Sequence, residues 1–167
     1  MNSEKKNSEL PDIATKIFEI LSNFFMDLES YRELNRHICN LERNDPSRPL
    51  WIVLSNNCLM MAAVEWCKIF GSEHNNVTHY TKCIDKLEGI ETTVNEMKEF
   101  RDKYISHYDF YNKPIPFMDK AVNVIIKFDE AVVKKYGLGY QETISEAISY
   151  YREDIHKRFS LIVSGKG

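Results

Sequence analysis

The longest apolar stretch of the chain is LWIVLSNNCLMMAAVEWCKIF, residues Leu50–Phe70, and it decides the fold class. About 20 apolar residues are enough to span a bilayer, but polar side chains that would be costly to place in lipid interrupt this stretch. A helix that is apolar nearly all round is otherwise the central, buried member of a helical bundle. We therefore predict a buried helix that ends at Gly71, a residue suited to a left-handed stop, and no membrane span. The interrupting residues are Ser55, Asn56, Asn57, Glu65 and Lys68.

Apolar residues recur at helical spacing on both sides of this stretch, and no strand-like alternation or internal repeat occurs. A first helix is predicted from Pro11, and the box Thr93-Val-Asn-Glu96 predicts the start of a third. A short helix is expected through Leu87, with a break at Gly89. Short connections favour neighbours that run in opposite directions. The predicted fold is thus all-α, an antiparallel bundle of four to five helices. Besides Leu50–Phe70, its main helices cover residues 11–41, 93–111, 117–136 and 141–161.

Length and composition predict a single domain that is neither secreted nor dependent on a metal. A chain of 167 residues suits a single domain, which we place over residues 11–162 between a flexible tail (1–10) and a short tail (163–167). The first residues lack an apolar core, and the four cysteines form no C-x-x-C pair, so we expect a cytoplasmic protein without disulfides. His74, His79 and Cys83 match no strong metal pattern, so neither a metal nor a cofactor is expected.

The net charge of −3 gives no general attraction for nucleic acid. Any RNA contact must therefore come from a local cluster of lysines and arginines. Interleaved acids make a merely solvated surface an equally good interpretation of these basic residues. The candidates for such a rim are Arg32, Arg36, Arg43, Arg48, Lys98, Lys103 and Lys113.

The stretch EFRDKYISHYD, residues 99–109, is the one that points to chemistry. On an ideal helix at about 100° per residue, an apolar stripe forms here, and Arg101 and His107 lie on either side of Tyr104 at its border. The two residues are about 9 Å apart along the axis. A guanidinium at such a border needs an acid, a carbonyl or a ligand phosphate as its partner. The stripe consists of Met97, Phe100, Tyr104 and Tyr108.

An arginine and a histidine suffice for metal-independent RNA cleavage. The histidine can remove a proton from a ribose 2′-hydroxyl or protonate the leaving 5′-oxygen. The arginine can hold the phosphate and stabilise the charge that develops on its oxygens. One helix supplies one copy of each, so a two-fold dimer would make the better site.

The segment Arg101-Asp102-Lys103-Tyr104-Ile105-Ser106-His107 resembles the Arg-polar-x-x-x-His signature of HEPN domains (higher eukaryotes and prokaryotes nucleotide-binding), especially their abortive-infection branch. The resemblance implies that Arg101 and His107 are catalytic and that Asp102 orients the site. It further implies a helical bundle that dimerises through this helix and cleaves RNA in phage-defence or toxin systems, with an antitoxin or regulatory protein as partner. Around the motif, we expect RNA contacts from Lys98, Lys103, Tyr104 and Tyr108.

Five residues separate Arg101 from His107, whereas four is the commoner spacing in that family. On an ideal helix the two side chains are then about 120° apart, so convergence needs a bend or one residue from each protomer. We predict a site shared by two chains. The alternative is a non-catalytic dimerising interaction or scaffold module. In that case Arg101 bridges to an acid on a neighbouring helix and His107 caps the helix end.

Overall fold

The computed structural model describes residues 3–71, 87–107, 118–136 and 141–165. Within these ranges the chain is helical without strands, which confirms the all-α prediction. The candidate metal ligands His74, His79 and Cys83, and most of the short helix expected before Leu87, lie outside the described residues. The helices of the described ranges are α1 (Ser3–Asn40), α2 (Arg48–Phe70), α3 (Glu91–His107), α4 (Met118–Tyr136) and α5 (Gln141–Val163).

The order of the contacts along each pair of helices gives their relative directions: α5 is parallel to α1, and α2 is antiparallel to both. The Ser55 hydroxyl donates to Asn35 Oδ1 at 3.2 Å, and the rings of His37 and Trp51 lie 4.9 Å apart further along the pair. On the other side of α1, Glu29 meets Arg152 and His37 meets Phe159. Both contact series are ordered, so α2 is antiparallel to α1 and α5 is parallel to it.

The directions of α3 and α4 follow in the same way. Trp66 Nε1 donates to the Ala121 carbonyl at 3.0 Å, and the Phe70 and Phe128 rings are 5.5 Å apart, so α4 runs with α2. In α3, Glu96 pairs with Lys120 at 3.6 Å, and a Cβ at Gly89, just before the helix, would lie 3.8 Å from Lys127. This order makes α3 antiparallel to α4. The five helices therefore alternate in direction, as predicted for an up-down bundle.

The core lies between the inner faces of these helices. Trp66 is fully buried and belongs to an apolar cluster to which the other four helices also contribute. Helical spacing had predicted several residues of this core, because apolar residues that recur every three, four or seven positions lie on the same face of a helix. The largest of them are Phe24, Leu28, Trp66, Met97, Phe100, Ile125 and Phe128.

Two predicted helix starts were wrong. The first helix begins at Ser3, so Pro11 lies inside it; strong helix formers such as Glu4, Lys5 and Lys6 favour this extension. The third begins at Glu91, before the expected box, because Gly89 takes a left-handed φ of 70° and the Ile90 carbonyl accepts the Val94 amide at 2.9 Å. The flexible tail expected over residues 1–10 remains a prediction about motion.

Gly71 ends α2 as predicted, but not by a left-handed conformation. Its φ is −102°, in the right-handed region, and its N–H donates to the Cys67 carbonyl at 2.9 Å. A Cβ at this position would lie 2.8 Å from Cys67 Cβ and 2.9 Å from the Cys67 carbonyl oxygen. Glycine is needed here because the chain passes too close to Cys67 for any side chain.

The prediction that α2 is a buried helix holds for only one of its faces. Its second half is buried around Trp66, whereas its first half leaves Leu50 59% and Val53 54% exposed. The reason is that α1, α3 and α4 cover only part of its circumference. Within the described ranges, α2 is the one helix long and apolar enough to cross a bilayer, and 39% of its most apolar 18-residue segment is buried. A single helix of this kind is weak evidence for a membrane span, since the core helix of a soluble protein meets the same criterion.

Candidate functional site

Helix α3 carries the segment that the sequence singled out. It runs without a break from Glu91 to His107, so Arg101 and His107 lie on one helix. Met97 and Phe100 are buried, and the Arg101 side chain is 26% exposed. Arg101 therefore lies at the border of the buried face, where the helical wheel predicted it. The side chains of Tyr104 and His107, and all of Tyr108, lie outside the described part of the chain.

The Arg101 guanidinium meets an acid on its own helix. Its Nε donates to Asp102 Oδ1 at 2.7 Å, and a terminal nitrogen lies 2.6 Å from the same oxygen. The guanidinium also lies close enough to Cys67 on α2 to lower the pKa of its thiol. The neighbouring residue Asp102 thus holds Arg101, and this is the position that the family resemblance links to orienting the site.

Cys67 lies beside Arg101 but is not suited to be a nucleophile. Burial raises the pKa of the Cys67 thiol to about 11, with Arg101 acting in the opposite direction. Because a thiolate is the reactive form of cysteine, Cys67 remains an inert thiol near neutral pH.

The level of His107 along α2 follows from this contact. Arg101 lies beside Cys67, and α3 runs against α2. From Arg101 to His107, α3 rises by about 9 Å. Because the helices are antiparallel, the same distance on α2 leads from Cys67 back to Met61. The His107 backbone therefore lies level with about Met61, next to the half of α2 that exposes apolar side chains.

Much of the basic rim is engaged within the chain. Arg32 pairs with Glu29 and with Asp119 at 2.5 Å, and Arg48 donates to the carbonyls of Ile38 and Leu41. Arg32 thus links α1 to α4, and Arg48 caps carbonyls at the end of α1. Neither arginine is left as free positive charge on the surface. Of the lysines expected to contact RNA, Lys103 pairs with Glu99, and Lys98 is half-buried close enough to Cys67 to affect its pKa.

Buried carboxylates are the feature that sequence analysis missed. Glu29, Glu65 and Asp129 are all at most 5% exposed. Glu29 receives Arg32 and Arg152, so it ties α1 to α5. Their one signal in the sequence is position, since Glu29 directly follows Leu28 and Asp129 directly follows Phe128 in the apolar stripes.

Two carboxylates, Asp27 of α1 and Glu65 of α2, lie near each other between these helices. Burial, and secondly the charge of Glu65, raise the pKa of Asp27 from 3.8 to about 6, while Lys68 acts to lower it. Glu65 Oε1 accepts from Lys68 Nζ at 2.5 Å, and its Oε2 has no hydrogen-bond partner within the described ranges. Among the described residues, no group of three or more histidines, cysteines or carboxylates could hold a metal ion.

Comparisons with known proteins add no family assignment. Searches of the chain against protein-family models, curated proteins and solved structures found no match. The HEPN resemblance of Arg101–His107 accordingly stays a hypothesis that depends on about ten residues of α3.

Proposed function

We propose that this chain is a metal-independent endoribonuclease of the kind that acts in phage-defence or toxin systems. His107 serves as general acid or base, and Arg101 holds the phosphate. The observation that supports this is the position of Arg101, held by Asp102 beside Cys67 at the border of α3, on a helix that continues to His107.

The arginine keeps donors for a ligand while it is held. A guanidinium carries five N–H donors, and its Nε and one terminal nitrogen point to Asp102. The remaining donors suit a phosphate that approaches from solvent, because Arg101 is partly exposed and planar donors match phosphate oxygens well. As the phosphate gains negative charge in the transition state, the same donors bind it more strongly.

The histidine supplies the proton transfers. Histidine titrates near neutral pH, so it can remove a 2′-hydroxyl proton or protonate a 5′-oxygen. The five intervening residues set His107 about 120° from Arg101 around the helix axis. We therefore assign each complete site to the Arg101 of one protomer and the His107 of another.

A second candidate function is a dimerising interaction or scaffold module without catalytic activity, with an immunity or regulatory role in place of cleavage. It is favoured by the pairing of Arg32, Arg48 and Lys103 within the chain. This pairing reduces the positive charge that is left for RNA.

One experiment separates these functions. Wild type, His107→Ala and the control His156→Ala are incubated with mixed RNA in EDTA, after circular dichroism shows that each is folded. His156 is exposed on α5 and pairs with Glu33, away from α3. We expect wild type and the control to cleave RNA, and His107→Ala to be slower by about 10²-fold or more. No cleavage by folded wild type, or equal cleavage by His107→Ala, would contradict the proposal.

A further inference from the structure

Helix α2 presents an apolar stripe on the face that points away from the bundle. We call it the outer stripe, and its six residues fall within about 100° on an ideal helix. No charged side chain interrupts it. It is about 21 Å long, from a rise of about 1.5 Å per residue. Leu50, Val53, Leu54 and Met61 are 59%, 54%, 39% and 48% exposed, Asn57 is exposed, and Val64 is half-buried.

Neighbouring helices border the outer stripe without covering it. Asp27 of α1 lies near Glu65 on one side, and Arg101 of α3 contacts Cys67 on the other. Glu65 and Cys67 are about 160° apart on the helix, one on each side of the stripe. Continuous apolar patches of this kind on a soluble protein usually mark an interaction surface.

We propose that the outer stripe binds the outer stripe of a second copy of this chain, with the two α2 helices antiparallel about a two-fold axis at Asn57. The stripe is nearly symmetric about that residue. Seven positions before and after it stand Leu50 and Val64, and four positions before and after it stand Val53 and Met61. In an antiparallel pair each of these apolar residues faces its counterpart, which is the self-complementary pattern that a two-fold interface requires.

Asn57 is what selects a second copy over other apolar partners. A side-chain amide carries both a donor and an acceptor, so two Asn57 side chains can pair across the axis. Against lipid or an apolar groove the same amide would lose its hydrogen bonds to water, at a cost of about 1–3 kcal/mol. A single asparagine in an apolar seam also fixes the register of paired helices at some cost in stability.

The size of the surface predicts a weak dimer. A contact about 21 Å long and about 10 Å wide buries on the order of a few hundred Å² per copy, below the roughly 800 Å² of a standard interface. We therefore expect a dimer that forms reversibly in the micromolar range. This surface differs from the predicted one, because α3 flanks the contact rather than forming its centre.

The two-fold axis also fixes where the predicted catalytic segments lie in the dimer. An axis through Asn57, perpendicular to both α2 helices, places the two copies of α3 on the same side of the pair. His107 is level with about Met61, which is four residues, or about 6 Å, from the axis along α2. Along α2 the two His107 positions are then about 12 Å apart, whereas Arg101 of one copy, level with Cys67, is about 21 Å from His107 of the other. This register therefore gathers the two histidines near the axis but does not by itself complete a site shared by Arg101 and His107. This consequence rests on the proposed function, whereas the dimer itself does not.

The dimer is tested by sedimentation equilibrium between about 1 and 100 μM, where wild type should shift from monomer to dimer. Val53→Glu and Met61→Glu, each at an exposed position, should weaken the dimer by about tenfold or more. The matched control is Ile162→Glu on α5, at a residue 63% exposed outside the stripe, and it should leave the dimer unchanged. A monomer at all concentrations, or dimers unaffected by both stripe variants, would overturn the proposal. So would a monomer that floats with phosphatidylcholine–phosphatidylglycerol vesicles.

Cross-linking tests the register. In a background with Cys39, Cys58 and Cys83 changed to serine, Asn57→Cys should form a disulfide-linked dimer under mild oxidation, because its counterpart lies directly opposite. Met61→Cys alone should not, whereas a mixture with Val53→Cys should. Cross-linking of Met61→Cys to itself would exclude this register. A dimer that cleaves no RNA removes the proposed function and leaves the interface; wild-type cleavage by monomeric Val53→Glu removes the shared site.

Discussion

Asp27 makes a defined contribution to how stability changes with pH. The Asp27 carboxyl is half-buried between α1 and α2, near Glu65 and Lys68, and burial is the main cause of its pKa of about 6 in the folded chain. In the unfolded chain it titrates near 3.8. Folding is therefore favoured by this group below pH 3.8, where both states are protonated. That advantage is lost as the pH rises through about 6, because the folded state then holds an ionised, poorly solvated carboxylate.

The magnitude follows from the two pKa values. A difference from 3.8 to about 6 corresponds to about 3 kcal/mol if fully expressed. Asp27 keeps substantial contact with water, which screens the charge, so we expect about 1 kcal/mol. Asp27→Asn removes the ionisation, so the variant should gain about 1 kcal/mol relative to wild type between pH 4 and pH 7.

The assay is urea unfolding of both proteins, followed by circular dichroism at pH 4, 5, 6 and 7. Glu19→Gln, which neutralises an exposed carboxylate on the same helix, controls for the general loss of one negative charge. The reasoning would be refuted if the unfolding free energies of wild type and Asp27→Asn changed in parallel with pH. A gain by Asp27→Asn that was largest at pH 4 would also refute it, since the sign would be reversed.

Two further predictions concern packing. Gly71→Ala places a methyl group 2.8 Å from Cys67 Cβ, so it should lower the free energy of unfolding by about 1–3 kcal/mol; an unchanged urea midpoint would contradict the close approach. Trp66→Phe leaves a gap in the core and removes the indole hydrogen bond to the Ala121 carbonyl, and should cost about 2–4 kcal/mol by circular dichroism. Trp51→Phe, at a half-buried position where Nε1 donates to Ser47 Oγ, should cost less than half as much.

The candidate site was only partly predictable. Helical spacing placed Arg101 at the border of the buried face, and the structure confirms that position because Met97 and Phe100 are buried. The partner of Arg101 could not be obtained from the wheel, on which Asp102 falls about 100° away. A long guanidinium can reach around the helix, and Cys67 of α2 limits where it rests.

Apolar spacing and chain breakers act locally, so they predicted which segments are helical, the alternating direction of the helices and most of the core, but not where α1 and α3 begin. The packing of the helices decided which faces are covered and which side chains are buried. It left the outer face of α2 uncovered, although that helix is apolar nearly all round. It buried Glu65 beside Asp27, and it required glycine at position 71 through the approach of Cys67. Periodicity shows which residues share a face, but only packing shows whether another part of the chain covers that face.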